Sequence, residues 1–329
     1  MIKLNTIKCY YKGAIIYMNF YYAPMEGLTG YIYRNAHNTF FNNIDKYFSP
    51  FIVANQSDRF TTRELNDILP ENNQGLLLIP QLLTNNAKDF IHTSRKIKIM
   101  GYNEVNLNLG CPSKTVVSKN KGAGFLSKPE ELDVFLDEIF TESITKISLK
   151  IRIGKDKPEE FYDLIKIFNK YPIEELIIHP RIQKDFYKNQ PNLKIFKDAL
   201  ILSKNPVCYN GDIFTIKDYE KFSADFPSVD TLMIGRGLLA NPAMASDITN
   251  NIILEKKLLK DFHDRIYEDY KKILYGDKNV LFKMKELWFY MIRTFSNNEK
   301  YAKRIKKSQR LYDYDEAVSS LFKEQDILS

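Results

Sequence analysis

Cysteine is scarce in this chain of 329 residues: Cys9, Cys111 and Cys208 lie far apart and make no CxxC pair. That spacing argues against a disulfide framework and a cysteine zinc site, and it points to a reducing cytoplasm and to no metal. Long apolar runs are missing as well. No stretch reaches the roughly 18 uninterrupted apolar residues of a membrane helix, and the run at 14–17 is too short for a signal-peptide core, so neither membrane nor export is expected. Glycine and proline number only 13 each, and there is no low-complexity linker. With 44% hydrophobic and 27% charged residues, the composition is that of a globular protein. The net charge of +7 and pI near 8.9 form a moderate excess that suits an anionic partner. The length exceeds the usual single domain, unless most of it is one α/β barrel of about 250 residues with an appendage.

What the chain does contain is short apolar runs at a regular interval. They stand at residues 20–25, 48–54, 76–81, 104–109, 147–151, 176–179, 207–209 and 231–234. Their centres fall about 25 to 30 residues apart, with one longer gap, which is the spacing of strand-then-helix units in a parallel sheet. Helical patterns fill intervals at 85–100, 129–140, 158–171 and 193–203, with Pro129 suited to a first turn and Ser127 to its cap. The expected fold is α/β, a (β/α)8 TIM barrel with a C-terminal all-helical domain; a doubly wound sheet is the alternative. Residues 1–18 read as a detachable extension, 19–248 as the barrel, and 249–329 as helices around 254–275, 281–295 and 314–328.

A barrel of this kind carries its chemistry at the C-terminal ends of its strands. In the fourth run, Val105, Leu107 and Leu109 alternate with Asn106 and Asn108; Gly110 stops the strand, and Pro112 keeps Cys111 extended at its tip. The other runs end in Pro24 and Met25, Gln81, Lys150 and Arg152, His179 and Arg181, Asn210 with Gly211 and Asp212, and Gly235 with Arg236. Small residues after both of the last two strands, NGDI and IGRG, suit a phosphate cradle at helix starts. Lys150 among apolar neighbours is a cation aimed into the mouth, able to hold an electron-rich ring. Downstream, Lys300, Lys303, Arg304, Lys306, Lys307 and Arg310 crowd one stretch, which can be a solvated face or a contact for phosphates.

As an ordered set, APMEG (23–27), NLGCPSKTV (108–116), KGAGFL (121–126), LKIRIG (149–154), IHPR (178–181), YNGDI (209–213) and IGRGLLANP (234–242) resemble the tRNA-dihydrouridine synthase family over about residues 20–242. The resemblance implies a monomeric FMN-dependent barrel that reduces the C5–C6 double bond of uridines in tRNA, with NADPH reloading the flavin. It makes Cys111 the proton donor to C5. Gln81, Lys150 and the backbone of Pro24 and Met25 would contact the flavin ring, with Asn108 and His179 between flavin and uracil. Asn210, Gly211, Asp212, Gly235 and Arg236 would hold the flavin phosphate, and Arg152, Arg181, Lys303, Arg304, Lys306 and Lys307 would meet the RNA. The segment 114–124 is expected to move and carry Cys111 onto the uracil. The chain departs from the family at HPRIQKDF (179–186), so no role is carried over to Lys184. Two other readings are a flavin-dependent reductase of a free pyrimidine, like the dihydroorotate dehydrogenases, and a tRNA-binding barrel without chemistry.

Overall fold

Strand side chains alternate between two buried environments, so each barrel strand needs apolar neighbours on both faces and a hydrogen-bonded partner at both edges. The computed structural model describes residues 7–11, 14–41, 43–57, 59–250 and 254–328. Strands β1 (Ile7–Tyr11) and β2 (Ala14–Tyr22) form an antiparallel hairpin, and the second half of β2 enters the main sheet. Of the segment 1–18 read as an extension, residues 1–6, 12 and 13 lie outside the described residues.

The sheet continues through β3 (Lys46–Phe48), β4 (Ile52–Val53), β5 (Leu78–Ile79), β6 (Gln81–Leu83), β7 (Glu104–Leu109), β8 (Lys146–Arg152), β9 (Leu176–His179), β10 (Val207–Tyr209) and β11 (Thr231–Ile234), all pairing in parallel. β3 and β4 are two halves of one strand interrupted at Pro50, and β5 and β6 are halves of the next, interrupted at Pro80. β3 pairs β5 and β4 pairs β6, while Ser49 N donates to Ile79 O at 3.1 Å and Gln81 N to Ser49 Oγ at 3.0 Å. A proline has no N–H to give, but Pro80 still accepts from Asn106 N at 2.9 Å. With β11 paired to β2, the eight strand positions close into a (β/α)8 barrel.

Helices α1 (Tyr31–Phe41), α2 (Thr62–Ile68), α3 (Ala87–Ile99), α4 (Lys114–Val117), α5 (Pro129–Glu142), α6 (Phe161–Phe168), α7 (Leu193–Leu202), α8 (Ile216–Asp225), α9 (Arg236–Ala240) and α10 (Met244–Asn250) accompany the barrel. Val105, Leu107 and Leu109 join the large core shared with helix residues such as Phe90 and Phe135. A separate small cluster of Tyr21, Ala23, Phe48, Ile79, Ile177, Cys208 and Met233, drawn from six strand positions, fills the lumen. Pro129 does open α5, but the expected cap is not made: Lys128 precedes the proline, and Ser127 turns back to Gly124 O at 2.9 Å.

Among the described residues four α-helices follow the barrel: α11 (Lys256–Ile273), α12 (Asp277–Met291), α13 (Glu299–Lys307) and α14 (Leu311–Glu324). The sequence pattern had suggested three. α13 went unseen because only Tyr301 and Ile305 of its residues are buried, so its charge masked its period. Phe262 of α11 packs edge-on to Tyr33, Phe40 and Phe41 of α1. Lys283 of α12 donates to Gly27 O at 2.7 Å, which fixes this helix beside the barrel mouth. Among the described residues, no helix is long and apolar enough to cross a membrane.

Candidate active site

The turn after β7 is held by its own strand. Asn108 Oδ1 accepts the N–H groups of Gly110 at 3.0 Å and Cys111 at 2.9 Å, while its Nδ2 donates to Gln81 Oε1 at 2.8 Å. Gln81 Nε2 donates to Asn106 Oδ1 at 2.8 Å, and Asn106 Nδ2 to Ser148 Oγ at 3.0 Å. This chain of amides links three neighbouring strands, β6, β7 and β8, and fixes the backbone on which Cys111 stands. Burial pushes the Cys111 thiol up, so at neutral pH it carries its proton. Segment 114–124 folds against it as α4 and the turn that follows: Ala123 N donates to Cys111 O at 3.1 Å. Gly122 has φ +56°, and a Cβ there would lie 2.9 Å from Cys111 O, so the close approach requires glycine.

On the next strand, Lys150 Nζ donates to Asn210 Oδ1 at 2.7 Å, and Asn210 Nδ2 to Met233 O at 2.7 Å. Burial, with Arg152 adding repulsion, brings the ammonium down to about 8. Arg152, expected at the substrate, is 1% exposed. Its Nε donates to Gly110 O at 3.0 Å, and its two terminal nitrogens to Ile182 O and Phe186 O at 2.8 Å each, so the guanidinium ties the turn after β7 to the loop after β9.

Arg181, also 1% exposed, forms a two-pronged pair with Asp212 at 2.9 and 2.5 Å and donates to Asn189 O at 2.6 Å and to His179 Nε2 at 3.0 Å. The resemblance implied contact with RNA for Arg181; here its donors are taken by Asp212, the Asn189 carbonyl and His179. Arginine can only donate, so His179 Nε2 must accept and the ring proton resides on Nδ1. Burial and the charges of Arg152, Lys150, Arg181 and Arg236 hold His179 well below its ordinary pKa, and it is neutral. Asp212 also accepts from Arg236 at 2.5 Å, whose guanidinium lies 4.2 Å from the Tyr187 ring centre and 4.9 Å from that of Phe214.

These groups border a cavity of about 280 Å³ at the C-terminal mouth. Pro24, Met25, Gln81, Asn108, Cys111, Lys150, Arg152 and His179 line it. Asn210, Gly211, Asp212, Gly235 and Arg236 are not on this lining; Asn210 joins it through Lys150, and Asp212 through Arg181, which donates to the lining residue His179. A Cβ on Gly211 would lie 1.9 Å from the Tyr209 hydroxyl oxygen, and one on Gly235 would lie 3.1 Å from Ala23 Cβ. Sequence reasoning missed Phe51, Tyr187 and Tyr290 on the cavity wall. Phe51 follows the strand break at Pro50, and Tyr290 comes from α12, far along the chain, with no local signal to announce it. Lys303, Arg304 and Lys307 share a shallow depression with Ser308, Asp313 and Glu316, whereas Lys306 lines a different groove. Lys184 pairs with Asp156 at 2.7 Å.

A family model described as dihydrouridine synthase matches residues 21–325. tRNA-dihydrouridine synthase B of Pasteurella multocida (strain Pm70) is 32% identical over 163 residues, a match that spans 47% of this chain and about half, 48%, of that protein. The tRNA-dihydrouridine(16) synthase of Aquipseudomonas alcaligenes is 27% identical over 240 residues, with 69% of this chain and 73% of that one covered. An old yellow enzyme homologue from Zymomonas mobilis superposes with a TM-score of 0.52 at 11% identity, covering 79% of this chain and 95% of its own, and so shares the fold. The family match runs from the first barrel strand past the last tail helix and takes in every strand end that meets at the mouth; the chain belongs to the dihydrouridine synthase family.

Proposed function

We propose that this chain is an FMN-dependent tRNA-dihydrouridine synthase, a cytoplasmic monomer that reduces the C5–C6 double bond of an unpaired uridine in tRNA with NADPH as reductant. The observation that carries the reading is the company of Cys111: a thiol kept protonated by burial shares one cavity with Lys150 and the neutral His179. The residues present suit the flavin. Lys150, Arg152, Arg181 and Arg236 converge with Asp212 between two of them; burial first and these charges second keep His179 neutral, and an excess of cations at the mouth favours an anionic group. Lys150 and Gln81 with the Pro24 and Met25 backbone would hold the ring, while Asn210, Gly211, Gly235 and Arg236 would hold the phosphate. Asp212 would act by fixing Arg236. An FMN bound there supplies a hydride for C6 of the pyrimidine and is recharged by NADPH.

The rest of the chemistry belongs to the side chains. Cys111 Sγ–H delivers its proton to C5, completing 5,6-dihydrouridine, and the thiolate left behind recovers a proton from solvent. A thiol suits this task because it is still protonated at neutral pH, where an ordinary carboxylate has lost its proton. His179 Nδ1–H offers an uncharged donor to a ring acceptor, and Asn108 fixes the Cys111 backbone while lining the same cavity. Because the uracil must leave its stack to enter, an unpaired target costs least. The test is the purified protein's flavin spectrum together with Cys111→Ala. The variant is expected to retain bound flavin and NADPH oxidation and to lose dihydrouridine formation on tRNA; undiminished product would mean that another group supplies the proton.

A further inference from the structure

Beside the mouth, between α12 and α13, lies a second and larger groove of about 640 Å³, and Leu28 and Tyr290 belong to the walls of both this groove and the active cavity. Its floor is apolar, with Trp288 and Ile305 buried. Two aromatic rings stand open on it: Phe282 is 60% exposed and Phe289 63%. They sit seven residues apart, two turns of α12, and so share one face of that helix. Large rings left in water on one face mark a binding surface more than a folding need.

Charge decides what such a surface receives. Lys285 and Lys306 line the groove, and the Arg293 guanidinium lies 5.6 Å from the Phe289 ring centre. Glu286, the one carboxylate on the lining, lies 3.6 Å from Lys283 Nζ. Flat apolar platforms edged by cations match the two parts of a nucleotide, a base with a π-face and an anionic phosphate. Lys285 already donates to Ser308 O, so Lys306 and Arg293 are the cations left for a ligand, and a purely apolar peptide would use the rings and leave these two unanswered.

We infer that this groove seats the unpaired nucleotide adjoining the target uridine, its base stacked on Phe289, whose ring centre lies 5.0 Å from that of the shared wall residue Tyr290, with Phe282 extending the platform along α12 and the phosphate met by Lys306 and Arg293. The inference rests on the function proposed above. Extruding a uridine deprives its neighbour of a stacking partner, and a ring platform continuous with the cavity wall replaces that partner. Extrusion is then easier, and the strand is held with its uridine at the mouth.

Trp288 is the chain's single tryptophan and lies under the groove, so its fluorescence reports occupancy directly. The flavin-loaded protein is titrated with a single-stranded RNA hexanucleotide containing one uridine, and separately assayed on tRNA. Wild type is expected to show saturable quenching. Phe289→Ala should weaken hexanucleotide binding and raise the KM for tRNA about tenfold with kcat little changed, while Phe289→Tyr, which keeps a stacking face, restores both. Unchanged binding and KM in the Phe282→Ala/Phe289→Ala double variant would overturn the inference, as would quenching by NADPH alone or loss of a dimer in that variant. If wild type makes no dihydrouridine on any tRNA while the hexanucleotide still quenches, the proposed reaction fails and the groove stands as a seat for single-stranded RNA.

Discussion

Replacing Asp212 by Asn keeps the size of the side chain and removes the carboxylate that Arg181 and Arg236 share. Arg181 is 1% exposed, so its charge has no solvent to turn to. Breaking a buried ion pair by deleting one partner typically costs about 3–5 kcal/mol. Two features put this pair at the lower end. The Asp212 side chain is 20% exposed, and Arg181 keeps acceptors at Asn189 O, 2.6 Å away, and His179 Nε2, 3.0 Å away. The expected loss is about 3 kcal/mol, or a fall in Tm of about 4 °C for a chain of this size. Urea unfolding of the flavin-free variant, followed by far-ultraviolet circular dichroism, measures it. The two freed guanidiniums should then bind anions more avidly, so added inorganic phosphate should restore more stability to the variant than to wild type. A loss below about 1 kcal/mol, with no differential effect of phosphate, would show that water already screens the pair and that the site's charge balance has been misread.

The ammonium of Lys150, brought down to about 8, predicts a falling limb in the pH profile of tRNA reduction with its midpoint near that value, and Lys150→Gln should remove the limb along with most activity. Its folded pKa lies below the ordinary lysine value of about 10.4, so the unfolded chain holds the extra proton between the two. Lys150 therefore makes stability rise with pH across that window, and a urea midpoint no higher at pH 9.5 than at pH 7.5 relative to Lys150→Gln would contradict this. A Cβ on Gly237 would stand 2.1 Å from Ile213 O, so Gly237→Ala should destabilise by about 3 kcal/mol, the upper end of overpacking costs; an unchanged Tm would show that the α9 start can shift freely. Neutralising Lys303, Arg304, Lys306 and Lys307 together should weaken tRNA binding and make its log–log salt slope shallower by about 3, at roughly 0.7–0.9 per phosphate contact. An unaltered slope assigns these four charges of α13 to solvent alone.

The barrel was legible because a strand buried on both faces has little choice of residue, and eight such runs at one spacing leave few topologies. Cys111, Asn108 and Lys150 were legible for the converse reason: a polar side chain ending an apolar run in a barrel has only the mouth to face. The breaks at Pro50 and Pro80 were not, since continuous apolar runs hide a lost ladder hydrogen bond until a neighbour's pairing exposes it. Tyr290 was out of reach, because its place on the cavity depends on how α12 docks, and the Lys283 contact with Gly27 O joins positions 256 residues apart.

The cations at the strand ends carry the sharper lesson. In sequence Lys150, Arg152, Arg181 and Arg236 are equivalent, each a positive charge where an anion could dock. Their partners separate them. Arg152 gives its donors to three backbone carbonyls, and Arg181 is committed to Asp212, Asn189 and His179. Lys150 meets one neutral amide oxygen and retains two further donor positions, and Arg236 shares its carboxylate while remaining partly exposed. A charge already answered by the fold builds the walls; a charge answered only by a neutral group, or by half a carboxylate, is left for a ligand. By that criterion Lys150 and Arg236 are the cations that can meet a cofactor, whereas Arg152 and Arg181 act on it indirectly, through the loops and the histidine tautomer they hold in place.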